Sequence, residues 1–361
     1  MQNLKKIFDK KIIEDMVQKT KDRLNKKNNK VRRTKNKKNS FLYKKDKDVL
    51  IVSSGGLYIA SVFSVASELY KYYNFKKLVG ISGGASLIFA SLPFLKKREF
   101  DIIPETALNY DASEIVIRSG YSKNVYNVKN IYVLIKNLLK HNAIFTKESF
   151  IDYMGDLFEK YGADRNVTFG ECKKVFGVEV EFYALDIMTG TLICLGADTT
   201  PDMKLTEGVY ATSCIPLMFP PLKYRNYVLF DGAIHEYFPY QYYKDKDFIG
   251  IMLEFTKKNN IKEKILKSFD RNLWTYILFL IERFYTNFIN TLTVVDENHE
   301  DRCIRVKLPY NLVDSINFWT FTPEKRKELI DIGYKTINEF ISTNKLDKIK
   351  KSGKRWLKYW I

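Results

Sequence analysis

Short apolar runs, each closed by glycine or proline, alternate with longer amphipathic stretches through the middle of this chain. Residues 49–53 form a continuous apolar run ending in serine, the pattern of a parallel strand buried on both faces. Residues 57–73 place Val62, Phe63, Ala66, Leu69 and Tyr70 at helical spacing. A second buried strand is expected at 78–81, followed by a small-residue helix over 83–92 that Pro93 should stop. Helices are expected between about 125 and 160, where they would cover a site at the sheet edge. Residues 178–186 alternate into a strand, Met188-Thr189-Gly190 turns it, and 191–195 returns. Another apolar strand, 227–230, delivers Asp231 to Gly232, and from about 256 onward the pattern is mainly helical. Strands alternating with helices predict an α/β fold: a mostly parallel central sheet with helices on both faces and a helical C-terminal annex. The expected organisation is a basic arm over 1–48, a core over 49–255, and a helical extension over 256–361 packed on that core.

Chemistry concentrates at Gly80-Ile81-Ser82-Gly83-Gly84, a G-x-S-x-G pentapeptide between an expected strand and an expected helix. A serine on a tight strand-to-helix turn needs neighbours without bulk, so that its Oγ is exposed to a substrate carbonyl. The helix N-terminus behind it presents N–H groups and a positive dipole end to a developing oxyanion. A glycine-rich turn with an incidental serine is the alternative. The base is constrained by scarcity, because the chain has three histidines, His141, His235 and His299. His141 and His299 lie in polar, charged surroundings and are expected at the surface, while His235 or His299 would serve a Ser…Asp…His order. Asp231, at the end of an apolar strand before a glycine turn, is the carboxylate best placed to take the serine proton directly. Such an aspartate would need a pKa raised by burial. An aspartate that merely caps a turn is the other reading.

Four segments together resemble the patatin-like phospholipases. They are Ile51-Val52-Ser53-Ser54-Gly55-Gly56, the pentapeptide around Ser82, the segment from Ala211 through Ile215-Pro216 to Phe219-Pro220-Pro221, and Asp231-Gly232-Ala233 followed by Pro239. Val167-Thr168-Phe169-Gly170-Glu171 is similar to a further recurring element, and the match runs across roughly 49 to 245. The resemblance implies a patatin-like three-layer fold and a Ser82–Asp231 dyad that cleaves lipid acyl esters through an acyl-enzyme, most simply as a phospholipase of the A type. It also implies an oxyanion hole from the amides of Gly55, Gly56 and Leu57, elbow glycines Gly80, Gly83 and Gly84, and no cofactor or metal. The family usually writes its first loop as three glycines, any residue, a basic residue and glycine. Here Ser54, Tyr58 and Ile59 depart from that pattern. A non-catalytic lipid-binding relative, or a lipase or transacylase of neutral lipids, are the alternatives.

Charge adds a partner to this picture. Residues 1–48 hold 18 Lys/Arg against 6 Asp/Glu, so twelve of the formal +18 charges lie in the arm. Within it Leu4, Ile7, Phe8, Ile12, Ile13 and Met16 recur at helical spacing, before an Asn/Lys-rich stretch over 26–39 expected to be disordered. The last residues, 345–361, mix seven Lys/Arg with Trp356, Trp360 and aliphatic residues. Both ends suit an anionic membrane surface; a helix packed on the domain, followed by a solvated linker in the arm, is the alternative at each. A nuclear or nucleic-acid signal at 31–38 is a weaker reading, and no specific nucleic-acid partner is expected. Cys172, Cys194, Cys214 and Cys303 are scattered without pairing signals, which suits a reducing, intracellular compartment and a peripheral membrane protein. No N-terminal signal peptide is expected, and the apolar stretch 273–281 is too short to span a bilayer.

Overall fold

The computed structural model describes residues 45–122, 128–256, 295–310, 313–316 and 321–343. By its internal contacts the chain divides into Met1–Tyr43 and Lys44–Ile361, and the described residues belong to the second unit. The basic arm, the stretch 273–281 and the basic, aromatic C-terminus lie outside the described residues.

In chain order the elements are β1 (Lys45–Val52), a 3-10 turn (Gly56–Ile59), α1 (Ala60–Tyr72), β2 (Tyr73–Ile81) and α2 (Gly83–Leu95). Next come α3 (Ile103–Asn109), α4 (Ser113–Arg118), α5 (Val128–His141), α6 (Lys147–Lys160) and α7 (Cys172–Phe176). They are followed by β3 (Glu179–Asp186), β4 (Thr191–Gly196), α8 (Leu205–Ser213), β5 (Leu222–Tyr224), β6 (Tyr227–Asp231), β7 (Phe248–Phe255), β8 (Cys303–Leu308) and α9 (Pro323–Thr343). The eight strands form one sheet in the order β5-β6-β3-β2-β1-β7-β8, with β4 also on β3. β1, β2, β3, β7 and β8 run parallel to their neighbours among themselves, while β4, β5 and β6 are antiparallel. This is the mixed, mostly parallel α/β sheet expected from the alternation of strands and helices.

Alternation along the buried strands divides the core. Leu50, Val52 and Leu78 face a large cluster shared with α1, α2, α6 and α8. Val49, Ile51, Val79 and Ile81 face a smaller cluster closed by Tyr237, Phe238, Tyr240 and Phe248. Each such side chain taken wholly out of water contributes ~1.5–3 kcal/mol, against at most about 1 kcal/mol for an exposed ion pair. The fold therefore rests on these two layers and not on the many lysines.

Several boundaries differ from the sequence expectation. The first helix begins at Ala60 after a 3-10 turn, and β1 and β2 start earlier, at Lys45 and Tyr73. Pro93 does not stop α2, which runs to Leu95 with the proline inside it. Burial of Leu92, Pro93 and Phe94 outweighs the one backbone hydrogen bond the proline removes. The stretch expected to be mainly helical after 256 contains β8, which extends the sheet in parallel beside β7. α9 does pack as a helix on α1. Gly333 allows this, since a Cβ there would meet the Ser61 carbonyl at 1.8 Å, and Ser64 Oγ donates to the Ile330 carbonyl at 3.0 Å.

Candidate active site

Strand pairing brings the two halves of the site together. β4 occupies one edge of β3, so β2 and β6 must share the other. β2 pairs with its first part, ending at Ile81 opposite Tyr183, and antiparallel β6 takes over with Asp231 opposite Ala184. The residue after Ile81 is therefore set beside Asp231 although the two are 149 positions apart. Ser82 Oγ donates to Asp231 Oδ2 at 2.7 Å, and Asp231 Oδ1 accepts the Ala233 N–H at 2.8 Å. Both side chains are buried. Burial raises the Asp231 carboxyl to about 7, against the lowering effect of its hydrogen bonds from Ser82 and Ala233.

Ser82 has the left-handed backbone (φ 51, ψ −122) of a residue forced around a sharp elbow. Its N–H donates to Thr212 Oγ1 at 2.9 Å, and the Thr212 hydroxyl donates onward to the Tyr183 carbonyl. α2 begins immediately behind it, with the amides of Ala85 and Ser86 bonded to the Ser82 carbonyl. Close approach explains the glycine after next. A Cβ at Gly84 would sit 2.5 Å from the carbonyls of Val52 and Ser53, so α2 can lie against the end of β1 only with no side chain there.

The loop leaving β1 brings Gly56 and Leu57 to the same cavity as Ser82. Gly56 has φ +53, and a Cβ on it would meet the Ser315 carbonyl at 2.6 Å. Their N–H groups open the 3-10 turn, where the first amides have no partner within the turn, whereas the Gly55 carbonyl accepts the Tyr58 N–H at 3.1 Å. Gly55 itself does not line the cavity described for Gly56 and Leu57. Of the loop's unusual residues, Tyr58 is buried away from the chemistry, its ring against Tyr310 at 5.2 Å with the Lys325 ammonium 5.5 Å from its centroid. Ile59 lines the cavity instead.

The cavity has a volume of about 100 Å³, several times the ~10–15 Å³ one water needs. Among the described residues its walls carry no acidic or basic side chain, and aromatic and aliphatic groups dominate, such as Phe150, Met154 and Phe158 from α6 and Tyr110 just after α3. α6 thus covers the site as expected from the helical pattern over 125–160. Ile316 and Phe321, from the C-terminal stretch, complete the wall. Ser213 Oγ faces this cavity buried and without a hydrogen-bond partner among the described residues. Neither it nor Thr212 carries a local sequence signal beyond membership of the segment 211–221.

The histidines are elsewhere. His235 is exposed on the turn after Asp231, whose two carboxylate oxygens are engaged by Ser82 and Ala233. His141 ends α5 and is half-buried. His299, expected at the surface, is also half-buried, stacked on Phe248 at 5.9 Å between ring centroids. An aromatic neighbour 51 positions away, brought by β7, withdraws it from solvent. Among the described residues no group of three or more His, Cys, Asp or Glu side chains is placed to hold a metal. All four cysteines are unpaired thiols, with Cys172 pushed up to about 12 by burial.

The sequence profile of the patatin-like phospholipases matches residues 50–242, more than half of the chain and the whole of this site apart from Ser315, Ile316 and Phe321. The chain belongs to that family. Its sheet carries the turns at Ser82 and Asp231. A probable lipid hydrolase of Invertebrate iridescent virus 6 is 21% identical over 215 residues, covering 59% of this chain and 66% of the relative. An uncharacterised protein of Acanthamoeba polyphaga mimivirus is 29% identical over 228 residues, covering 56% of this chain and 59% of its own. The chain therefore aligns with somewhat under two thirds of each of these relatives. Among solved structures, VipD from Legionella pneumophila is similar with a TM-score of 0.43 at 12% identity, covering 82% of this chain and 67% of VipD. The type III effector ExoU is similar with a TM-score of 0.37 at 11% identity, covering 82% of this chain and 53% of ExoU.

Proposed function

We propose that this chain is a phospholipase of the A type, cleaving fatty acyl esters at a membrane surface through Ser82 and Asp231. The observation that carries the reading is the 2.7 Å hydrogen bond from Ser82 Oγ to a buried carboxylate, at the wall of a cavity lined by apolar groups. Ser82 Oγ attacks the ester carbonyl as its proton passes to Asp231. The tetrahedral oxyanion is stabilised by the amides of the turn at Gly55, Gly56 and Leu57, with Gly56 and Leu57 nearest the cavity. Collapse expels the lysolipid alkoxide, which recovers the proton from Asp231, and leaves the acyl chain on Ser82. Water then attacks the acyl-enzyme, losing its proton to Asp231; the Ser82 ester bond breaks, Ser82 Oγ recovers that proton, and the fatty acid departs. Glycines 80, 83 and 84 keep the elbow open for this sequence. No step requires a cofactor. The basic ends of the chain support peripheral association with anionic lipid inside the cell.

Labelling with a long-chain fluorophosphonate, read by intact mass, tests the reading. One adduct is expected on the wild type and none on Ser82→Ala. Absence of an adduct on folded wild type would overturn the hydrolase and leave a lipid-binding relative, with Tyr58 and Ile59 as the departures to revert. Product analysis on phospholipid against triacylglycerol separates the A-type activity from a neutral-lipid lipase, and added acceptor alcohol reveals transacylation.

A further inference from the structure

α5 exposes more apolar side chains than it buries. Asn130, Val133, Leu134 and Asn137 lie on the face it presents to the protein, while Ile131, Tyr132, Ile135, Leu138 and Leu139 fall on the outer side. Those five side chains are exposed, from 39% for Leu138 to 82% for Leu139. The rotation is fixed by the amides that a water-facing helix would turn outward. Asn137, buried, donates from Nδ2 to the Ser119 carbonyl at 3.1 Å and the Ile144 carbonyl at 2.9 Å. Asn130 Oδ1 accepts the Ser122 N–H at 2.7 Å. Single exposed apolar residues are ordinary, but five on one helical face, held outward by side-chain hydrogen bonds, mark a surface with an occupant.

We propose that this face of α5 inserts into the interfacial layer of an anionic membrane and docks the hydrolase onto its substrate. Charge and continuity select a lipid surface. Lys136 and Lys140, one turn apart, line one border of the apolar face, where long side chains reach headgroup phosphates while their stems lie along the apolar groups. Tyr132 adds an aromatic ring with a polar tip, suited to the same layer. The helix is also stitched to the acyl cavity. After its end, the amides of Ile144 and Phe145 donate to the carbonyls of Leu217 and Met218 at 2.9 and 2.8 Å. Leu217 is half exposed with φ 68, and Ile215 of the same loop lines the cavity beside Ser82. The docking face and the wall of the site are thus one hydrogen-bonded unit. This inference rests on the lipid-hydrolase reading of that site and adds the element that meets the bilayer, distinct from the basic ends of the chain.

The test compares full-length Ser82→Ala protein with the same protein carrying Ile135→Glu and Leu139→Glu, in flotation with phosphatidylserine-containing and with pure phosphatidylcholine vesicles. Both replaced side chains are exposed, so the fold is expected to persist, and circular dichroism with thermal melting checks it. The double change should weaken binding to anionic vesicles by about tenfold or more. In otherwise wild-type protein it should leave hydrolysis of a short-chain soluble ester unchanged while lowering turnover on vesicles. Lys136→Glu with Lys140→Glu should reduce the preference for anionic vesicles, with the apolar face and the basic ends intact. Equal vesicle binding by all forms overturns the proposal. With it, a drop in melting temperature of the glutamate variant would assign the face to an intramolecular cover, and a fall in solution mass would assign it to a second copy. Failure of the wild type to hydrolyse any ester or to take the fluorophosphonate would instead sink the hydrolase reading, while vesicle binding would still judge the docking face.

Discussion

Burial lifts the Asp231 carboxyl from 3.8 to about 7, against the hydrogen bonds from Ser82 and Ala233 that lower it. On the proposed mechanism the ionised form accepts the Ser82 proton, so activity should rise with pH through about 7 and level off above it. The pH dependence of kcat/KM on a soluble ester measures this, and a flat profile between pH 5 and 9 would remove Asp231 as the base. Ser82→Ala and Asp231→Asn should each lower kcat by about a thousandfold or more, while His235→Ala and His299→Ala should leave it near wild type. Loss of activity in either histidine variant would restore the three-residue order. The same pKa has a stability consequence of opposite sign. A carboxyl raised in the folded state binds more protons than in the unfolded chain between pH 3.8 and about 7, so its contribution to stability is lost as pH rises through that window. Asp231→Asn keeps an acceptor for Ala233 and a donor toward Ser82, yet carries no charge. Its melting temperature should therefore exceed that of wild type at pH 8, and the gap should close toward pH 5.

Among the elements, α5 and α9 show how single side chains decide packing. Asn137→Ala deletes two buried hydrogen bonds and leaves the Ser119 and Ile144 carbonyls short of a donor, a cost of ~1–3 kcal/mol in denaturant unfolding. Asn137→Leu should destabilise as well, since the Ser119 carbonyl stays unpaired, while that of Ile144 keeps the Tyr121 hydroxyl at 2.8 Å. At the other contact, Gly333 admits the Ser61 backbone at a distance no side chain tolerates. Gly333→Val should separate α9 from α1, seen as lost thermal cooperativity and faster proteolysis after residue 321. An unchanged melt would mean that α9 contributes little to the fold.

For the whole molecule, the C-terminal stretch belongs to the machinery of the sheet and cavity. β8 covers the edge of β7, Ser315 lies against Gly56 of the proposed oxyanion turn, and Ile316 and Phe321 complete the wall of the cavity beside Ser82. A protein ending at residue 256 keeps every motif of the family but exposes a long apolar edge strand and opens that wall. It should be insoluble or fail to take the fluorophosphonate. A soluble, labelled fragment would show that the matched region 50–242 suffices alone.

The alternation of apolar runs with helical spacing was enough to assign an α/β sheet, since parallel strands buried on both faces must read as unbroken runs such as Val49–Leu50–Ile51–Val52. Gly80 to Gly84 marked the elbow for an equally local reason, because only residues without bulk fit where a strand turns sharply into a helix. Other features depend on contacts between distant positions, which no local pattern encodes. β8 hides in a polar-flanked stretch and becomes a strand only because β7 offers it an edge. Pro93 stays helical because its neighbours are buried. His299 is half-withdrawn from solvent because Phe248 stacks on it. Local sequence could nominate Ser82 and Asp231 separately; their 2.7 Å contact comes from the shared edge of β3. The apolar residues of α5 are equally plain in the sequence, where their spacing fits a buried helix face. Which way they point was decided by Asn137, whose amide finds its carbonyl partners only in the folded chain.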